Sequence, residues 1–149
     1  MSANTWNLCT NAAIRRASRR LGQIYDEALA PTGLRGTQFS LLTQIKYLEH
    51  PTLRELADVL VMDLSALGHT LKPLERDGLV TLVRDETDRR AKRAQLTRKG
   101  LARQEEGLPL WQAAQSRFDA EFGVKKSADL RKALELVASD EFAERLTGD

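Results

Sequence analysis

Apolar residues recur along this chain at two spacings, and the change from one to the other outlines its central elements. Leu53, Leu56, Ala57 and Leu60 fall at i, i+3, i+4 and i+7, one face of a helix. Thr52 and Glu55 form a capping box at its start, each side chain accepting from the other's amide. Val61, Met62, Asp63 and Leu64 make a turn, with Asp63 placed to cap a second helix. In that helix Leu64, Leu67, Leu71 and Leu74 point inward, and Gly78 closes it. The pattern then turns β-branched and apolar: Leu79 to Val83 reads as a strand and Ala94 to Thr97 as its returning partner. Between them, Arg84 to Arg93 holds no apolar residue larger than alanine. The pattern predicts a helix-turn-helix followed by a hairpin with a basic tip.

Helical spacing also marks the flanks. A first helix from about Thr10 to Ala30, stopped by Pro31 and Gly33, has Leu8, Ala12, Ala17, Leu21, Ile24 and Leu29 on its apolar side. Arg15, Arg16, Arg19 and Arg20 band its start, which is first of all what arginines with buried stems on a solvated face look like. Another helix, about Thr37 to Leu48, carries Phe39, Leu42, Ile45 and Leu48. Pro73 removes the hydrogen bond to the His69 carbonyl and predicts a kink, at a cost of about 3 kcal/mol in an unrelieved helix. Leu101 to Phe122 reads as one long helix, broken or bent near Gly107, Leu108 and Pro109, with Trp111, Ala114, Phe118 and Phe122 recurring. A last helix follows from about Ser127 to Leu146, with Leu130, Leu134, Val137 and Phe142 inward. The fold class is mainly α with a small β-hairpin wing. The terminal helices carry more apolar surface than one small winged module can cover, and such surface marks association.

At 149 residues the chain has the length of one domain, with 42% hydrophobic and 30% charged residues. No run is long enough to span a membrane and no signal segment opens it, so a cytoplasmic protein without a membrane partner is expected. The single cysteine, Cys9, excludes an internal disulfide framework. The net charge of +2 says little, but its distribution says more. Arg84 to Arg103 holds eight cations against three carboxylates, a net of +5, whereas Gln104 to Asp149 holds six against ten, a net of −4. Catalysis finds no footing. His50 and His69 are far apart, and the chain has no paired cysteines, metal-ligand spacing or glycine-rich phosphate loop. We therefore expect no enzyme, no cofactor and no metal.

The second helix of the central unit turns Ser65, Ala66, Gly68, His69 and Lys72 outward, a face of small or hydrogen-bonding residues with one cation and no carboxylate. Such a face can lie against base-pair edges in a major groove. Arginines at the hairpin tip suit the electronegative minor groove, with Asp88 holding the Arg90 guanidinium in a fixed fork. Taken together, LRELADVL, LSALGHTLKPLERDGLV and DRRAKRAQLTRKG resemble the MarR-type winged helix-turn-helix regulators. Their wing signature, Asp-x-Arg, five residues, then Leu-Thr, is met by Asp88, Arg90, Leu96 and Thr97. GLRGTQFSLL occupies the place of the family's GLTxxQ segment. The chain departs from the family at Arg35, where a capping threonine is usual, so that Thr37 is expected to cap one turn later.

The resemblance implies one MarR-type domain over residues 1–149. Residues 1–35 and 104–149 would supply dimerisation helices and residues 37–100 the winged helix-turn-helix. It implies a homodimeric, DNA-binding transcriptional regulator, a repressor more than an activator, on a palindromic double-stranded operator. Ser65, Ala66, Gly68, His69 and Thr70 would then face bases, Lys72 phosphate, Arg89 backbone, and Arg90, steadied by Asp88, the minor groove. A small aromatic or phenolic acid is the expected inducer, with Arg16, Arg20, Phe39 and Trp111 as its pocket. Two alternatives stand beside this. Cys9, at a helix head ahead of four arginines, resembles the sensing cysteine of the hydroperoxide-responsive branch, with Tyr25 and Tyr47 as the available tyrosine partners; the plainer reading is a small residue packing the helix start. The other is a winged helix that grips protein and ignores DNA.

Overall fold

The computed structural model describes residues 5–148; the expected N-terminal unit begins at Met1, and its first four residues, like Asp149 at the other end, lie outside them. A 3-10 turn at Thr5–Leu8 leads into α1 (Thr10–Leu29), and a second at Ala30–Thr32 into α2 (Gly36–Tyr47). Then come α3 (Leu53–Leu60), α4 (Leu64–Arg76), β1 (Val80–Arg84), β2 (Lys92–Leu96), α5 (Arg98–Phe122), α6 (Val124–Ala138) and α7 (Asp140–Thr147). The strands form one antiparallel pair, in register from Val80 opposite Leu96 to Arg84 opposite Lys92. Among the described residues no helix is long and apolar enough to cross a membrane.

The core lies where α2, α3, α4 and the base of the hairpin meet. Leu29, Leu42, Ile45, Leu56, Leu67, Leu71 and Leu74 are fully buried there, joined by Leu79, Val80 and Ala94 from the wing. Each such side chain contributes about 1.5–3 kcal/mol relative to exposure. The three leucines of α4 recur at i, i+4 and i+7, so one stripe of the helix is committed to the core. Leu64 is not part of it: this residue, expected inward, is exposed at the first turn of α4.

Several expected boundaries shift for identifiable reasons. The start of α2 is one residue before Thr37, and Thr37 does not cap it. Instead the Arg35 amide donates to Gln38 Oε1 at 3.0 Å, and the Gly36 amide to Asp26 Oδ1 of α1 at 2.7 Å. A carboxylate from another helix has replaced the local cap. Of the break or bend expected near Pro109, the break is absent, since α5 runs unbroken from Arg98 to Phe122. Packing against α1 and α2 holds it through the missing N–H: Gly107 lies so close to Phe39 that a Cβ there would come within 2.8 Å of the ring. Pro73, where a kink was expected, lies inside α4, which runs to Arg76. The expected last helix is instead two. Ser139, in extended backbone, stops α6, and its hydroxyl accepts from the Phe142 amide at 3.2 Å to start α7. Leu130, Leu134 and Val137, expected inward, are exposed along α6.

Candidate DNA interface

The helix-turn-helix is held at each joint by the residues its sequence singled out. At the head of α3 the Glu55 amide donates to Thr52 Oγ1 at 3.1 Å and the Thr52 amide to Glu55 Oε2 at 2.7 Å. The Thr52 amide, and after it the Thr52 hydroxyl, favour the charged form and hold the Glu55 carboxyl below its ordinary value. Val61 ends α3 in left-handed backbone, φ 53°, and the Met62 amide returns to the Ala57 carbonyl at 2.9 Å. Asp63 Oδ1 then accepts from the Ala66 amide at 2.7 Å and starts α4. At the far end Gly78, φ 71°, lets the Leu79 amide close on the Leu74 carbonyl at 2.8 Å.

The register of α4 sorts its residues. Ser65, His69 and Lys72 are exposed, two positions and hence about 200° round the helix from Leu67, Leu71 and Leu74. Ala66 and Thr70 flank this stripe on one side and Gly68 on the other, all half-buried. The Thr70 hydroxyl donates to the Ala66 carbonyl at 2.9 Å and keeps its acceptor lone pairs. A Cβ built at Gly68 would meet nothing within 4 Å, so no neighbour inside the chain requires a glycine there. Arg76, missed in the sequence reading, continues the stripe one turn past Lys72 and is exposed, with its Nε 3.3 Å from Asp77. The spacing 65, 69, 72, 76 is the signal that finds it.

In the wing, Asp88, Arg89 and Arg90 are all exposed at the tip between the strands. The expected fork between Asp88 and the Arg90 guanidinium is not formed. Asp88 Oδ1 instead accepts from the Arg90 backbone amide at 2.9 Å, shaping the turn and leaving the side chain unpaired. The guanidinium that is fixed belongs to Arg93, whose Nε donates to Asp85 Oδ1 at 2.5 Å and whose Nη1 donates to the His50 carbonyl at 2.9 Å. The Arg93 bond, with a further one from Thr87, holds the Asp85 carboxyl down at about 2. Among the described residues no ion pair reaches Arg84, Arg89, Arg90 or Lys92. These wing cations are free to meet an anion.

The expected ligand pocket is not assembled in the single chain. Phe39 is buried and its ring stacks on Trp111 at 6.4 Å between centroids, both serving the core, while Arg16 and Arg20 are exposed on α1. The two cavities described are lined by other residues, one by Gln38, Asp77, Lys99 and Arg103, the other by Lys46, His50, Leu96 and Arg98. Cys9 is exposed rather than packed, and its Sγ caps α1 by accepting from the Ala12 amide at 3.4 Å. Tyr25 donates to Gln115 Oε1 at 2.6 Å and Tyr47 is exposed. Among the described residues no cluster of His, Cys, Asp or Glu is placed to hold a metal ion.

An exposed polar stripe on a helix wedged by leucines, followed by a hairpin with unpaired tip arginines, defines a winged helix-turn-helix DNA-binding protein. The family model described as MarR family matches residues 34–92. The transcriptional regulator MosR of M. tuberculosis, solved in complex with DNA, is 39% identical over 85% of this chain and 96% of that one, with a TM-score of 0.73. A mutant MarR of E. coli complexed with operator DNA is 25% identical over 91% and 99% of the two chains, with a TM-score of 0.80. CouR of Rhodococcus jostii RHA1, bound to p-coumaroyl-CoA, is 22% identical over 93% and 97%, with a TM-score of 0.76, a likeness of fold alone. No curated protein matches the chain. The chain belongs to the MarR family and is a DNA-binding transcriptional regulator. The family and these neighbours are regulators rather than enzymes.

Proposed function

We propose that the protein is a homodimeric, cytoplasmic repressor that binds a palindromic operator and is released by a small acid. The observation that carries the reading is the exposed stripe Ser65, His69 and Lys72, opposite the buried leucines of α4 and on the same module as the unpaired Arg89 and Arg90. Ser65, Ala66, Gly68, His69 and Thr70 face base edges in the major groove, and Lys72 meets phosphate. Arg90 enters the flanking minor groove and Arg89 contacts backbone. Residues 1–35 and 104–149 form the dimerisation unit, which would cover the apolar side chains exposed on α1, α6 and α7. No catalytic step, metal or cofactor is assigned.

Binding of labelled duplexes across a salt series tests this reading. Arg90→Ala should weaken every duplex and flatten the dependence of log affinity on log salt by about one unit. An unchanged slope would remove the wing from the interface. His69→Ala should relax the choice of base at one position per half-site more than it lowers overall affinity. For release, Arg16 and Arg20 are proposed as the cations that receive the acid. Aromatic acids should dissociate wild-type complexes and lose that effect when both are alanine.

A second input is favoured by one observation, the exposed thiol of Cys9 at a helix N-terminus. A hydroperoxide would transfer one oxygen to it, giving a sulfenic acid and the corresponding alcohol. Peroxide should then lower operator binding of the wild type and leave Cys9→Ser unaffected; equal responses would dismiss the sensor.

A further inference from the structure

Arg93 stands in β2 opposite Val83, and its guanidinium reaches away from the hairpin to the His50 carbonyl. Its Nη1 donates to the His50 carbonyl at 2.9 Å and lies 3.9 Å from the Glu55 carboxylate of the α3 cap. Its Nε grips Asp85 Oδ1. Asp85 uses its other oxygen to accept from the Thr87 hydroxyl at 2.8 Å and from the Asp88 amide at 3.1 Å, and Asp88 in turn accepts from the Arg90 amide. One unbroken run of hydrogen bonds therefore leads from the α2–α3 loop to the turn that presents Arg89 and Arg90. The backbone docks at the same place, with the Ala94 amide donating to the Pro51 carbonyl at 2.9 Å and Thr52 bridging Arg93. The loop it grips is strained: Glu49 and His50 are consecutive left-handed residues, φ 53° and 65°. Such backbone persists where its surroundings hold it.

We propose that Arg93 is a positioning residue which fixes the wing against the helix-turn-helix, so that the tip arginines and α4 reach one duplex together, and that it does not itself touch DNA. The proposal rests on the wing reading of the proposed function. Charge argues the same way, because a guanidinium shared between Asp85 and Glu55 offers phosphate little net attraction. Shape does too. Two partners in different directions, a carboxylate and a carbonyl, suit a planar fork of donors and not the single ammonium of lysine.

Two measurements test it. In DNA-free protein, Arg93→Ala should speed hydrogen exchange at the Asp88 and Ala91 amides by about tenfold while Leu71 in α4 exchanges as in the wild type. Unchanged tip exchange would overturn the proposal. So would an equal rise at Leu71, because the contact would then hold the whole fold and not the wing. Asp85→Asn, which keeps the side chain's shape, should show the same pattern at smaller size. On the tightest duplex selected by the wild type from a random pool, Arg93→Ala should cost about tenfold in affinity. It should cost nothing further once Arg89 and Arg90 are both alanine. Penalties that multiply would mean that Arg93 acts on DNA itself and would overturn the proposal. A wild type that binds no duplex would sink the proposed function, and the exchange measurement then decides the clasp alone.

Discussion

At Gly68 the needs of stability and of the proposed DNA contact point in opposite directions. A Cβ there would meet no neighbour, and glycine inside a helix is roughly 1 kcal/mol worse than alanine. Gly68→Ala should therefore raise stability to urea by up to about 1 kcal/mol while lowering operator affinity, because the methyl group occupies space left for a base edge. Stability gained with affinity unchanged would show that this flank of α4 does not approach DNA. Gly100 is the opposite case. Its Cβ would lie 1.9 Å from the Leu79 carbonyl oxygen, backbone that cannot rotate away, so Gly100→Ala should destabilise by about 3 kcal/mol or more. The two glycines are indistinguishable as letters. Only the path of the strand past α5 separates them. Asp88 taught the same lesson, since its proximity to Arg90 in sequence suggested a side-chain pair and the turn gave it a backbone amide instead.

At the scale of elements, what was legible was local. The capping box of α3, the Asp63 cap and the Gly78 stop are each made within four to six residues and the leucine stripe of α4 within eight, and each was readable from spacing. What was missed reaches across the chain. Asp26 caps α2 from ten residues away, Arg93 reaches His50 across 43, and tertiary packing carries α5 through Pro109. The corner between α5 and α6 is another such case. Asp119 accepts from Gln115 and Ser127, Arg131 donates to Ser127, and Tyr25 of α1 closes the chain through Gln115. Ser127 is completely buried, so Ser127→Ala should cost about 1 kcal/mol in unfolding free energy and loosen α6 before α4 in hydrogen exchange. The wing has its own titration. Because Arg93 holds the folded Asp85 pKa at about 2, below the unfolded carboxyl's value, that pair stabilises the wing fully above the unfolded value. The contribution is lost as pH falls towards 2. A carboxyl NMR titration should place the Asp85 midpoint near 2 and move it up towards the ordinary range in Arg93→Ala.

The whole molecule explains why so much of the tail is greasy. A folded monomer of 16.7 kDa exposes about 7,600 Å² of surface by the usual scaling, whereas this chain exposes 11,053 Å². The chemistry of the exposed surface points the same way: Leu8, Val124 and Leu146 are each more than two-thirds exposed, and Leu134, Leu136 and Val137 are exposed along α6. Obligate dimers bury surfaces of about 2,000–5,000 Å² and more of this character, half on each partner, which an excess of this size can supply. The core of the winged module also takes in Leu29 and Leu34 and is packed by Leu108, Leu110 and Trp111, but it leaves the apolar side chains of α6 and α7 uncovered, and these are the part of the fold that a second copy would complete. The urea midpoint should then rise with protein concentration, as it does when folding and association are linked. A Leu134→Glu, Val137→Glu variant should sediment as a monomer and bind a two-half-site duplex no more tightly than a single half-site, because two copies of α4 would no longer be held about one DNA turn apart. A wild-type midpoint that stays fixed across a roughly hundredfold dilution would show that the tails are satisfied within one chain, and would leave the palindromic operator without its symmetric reader.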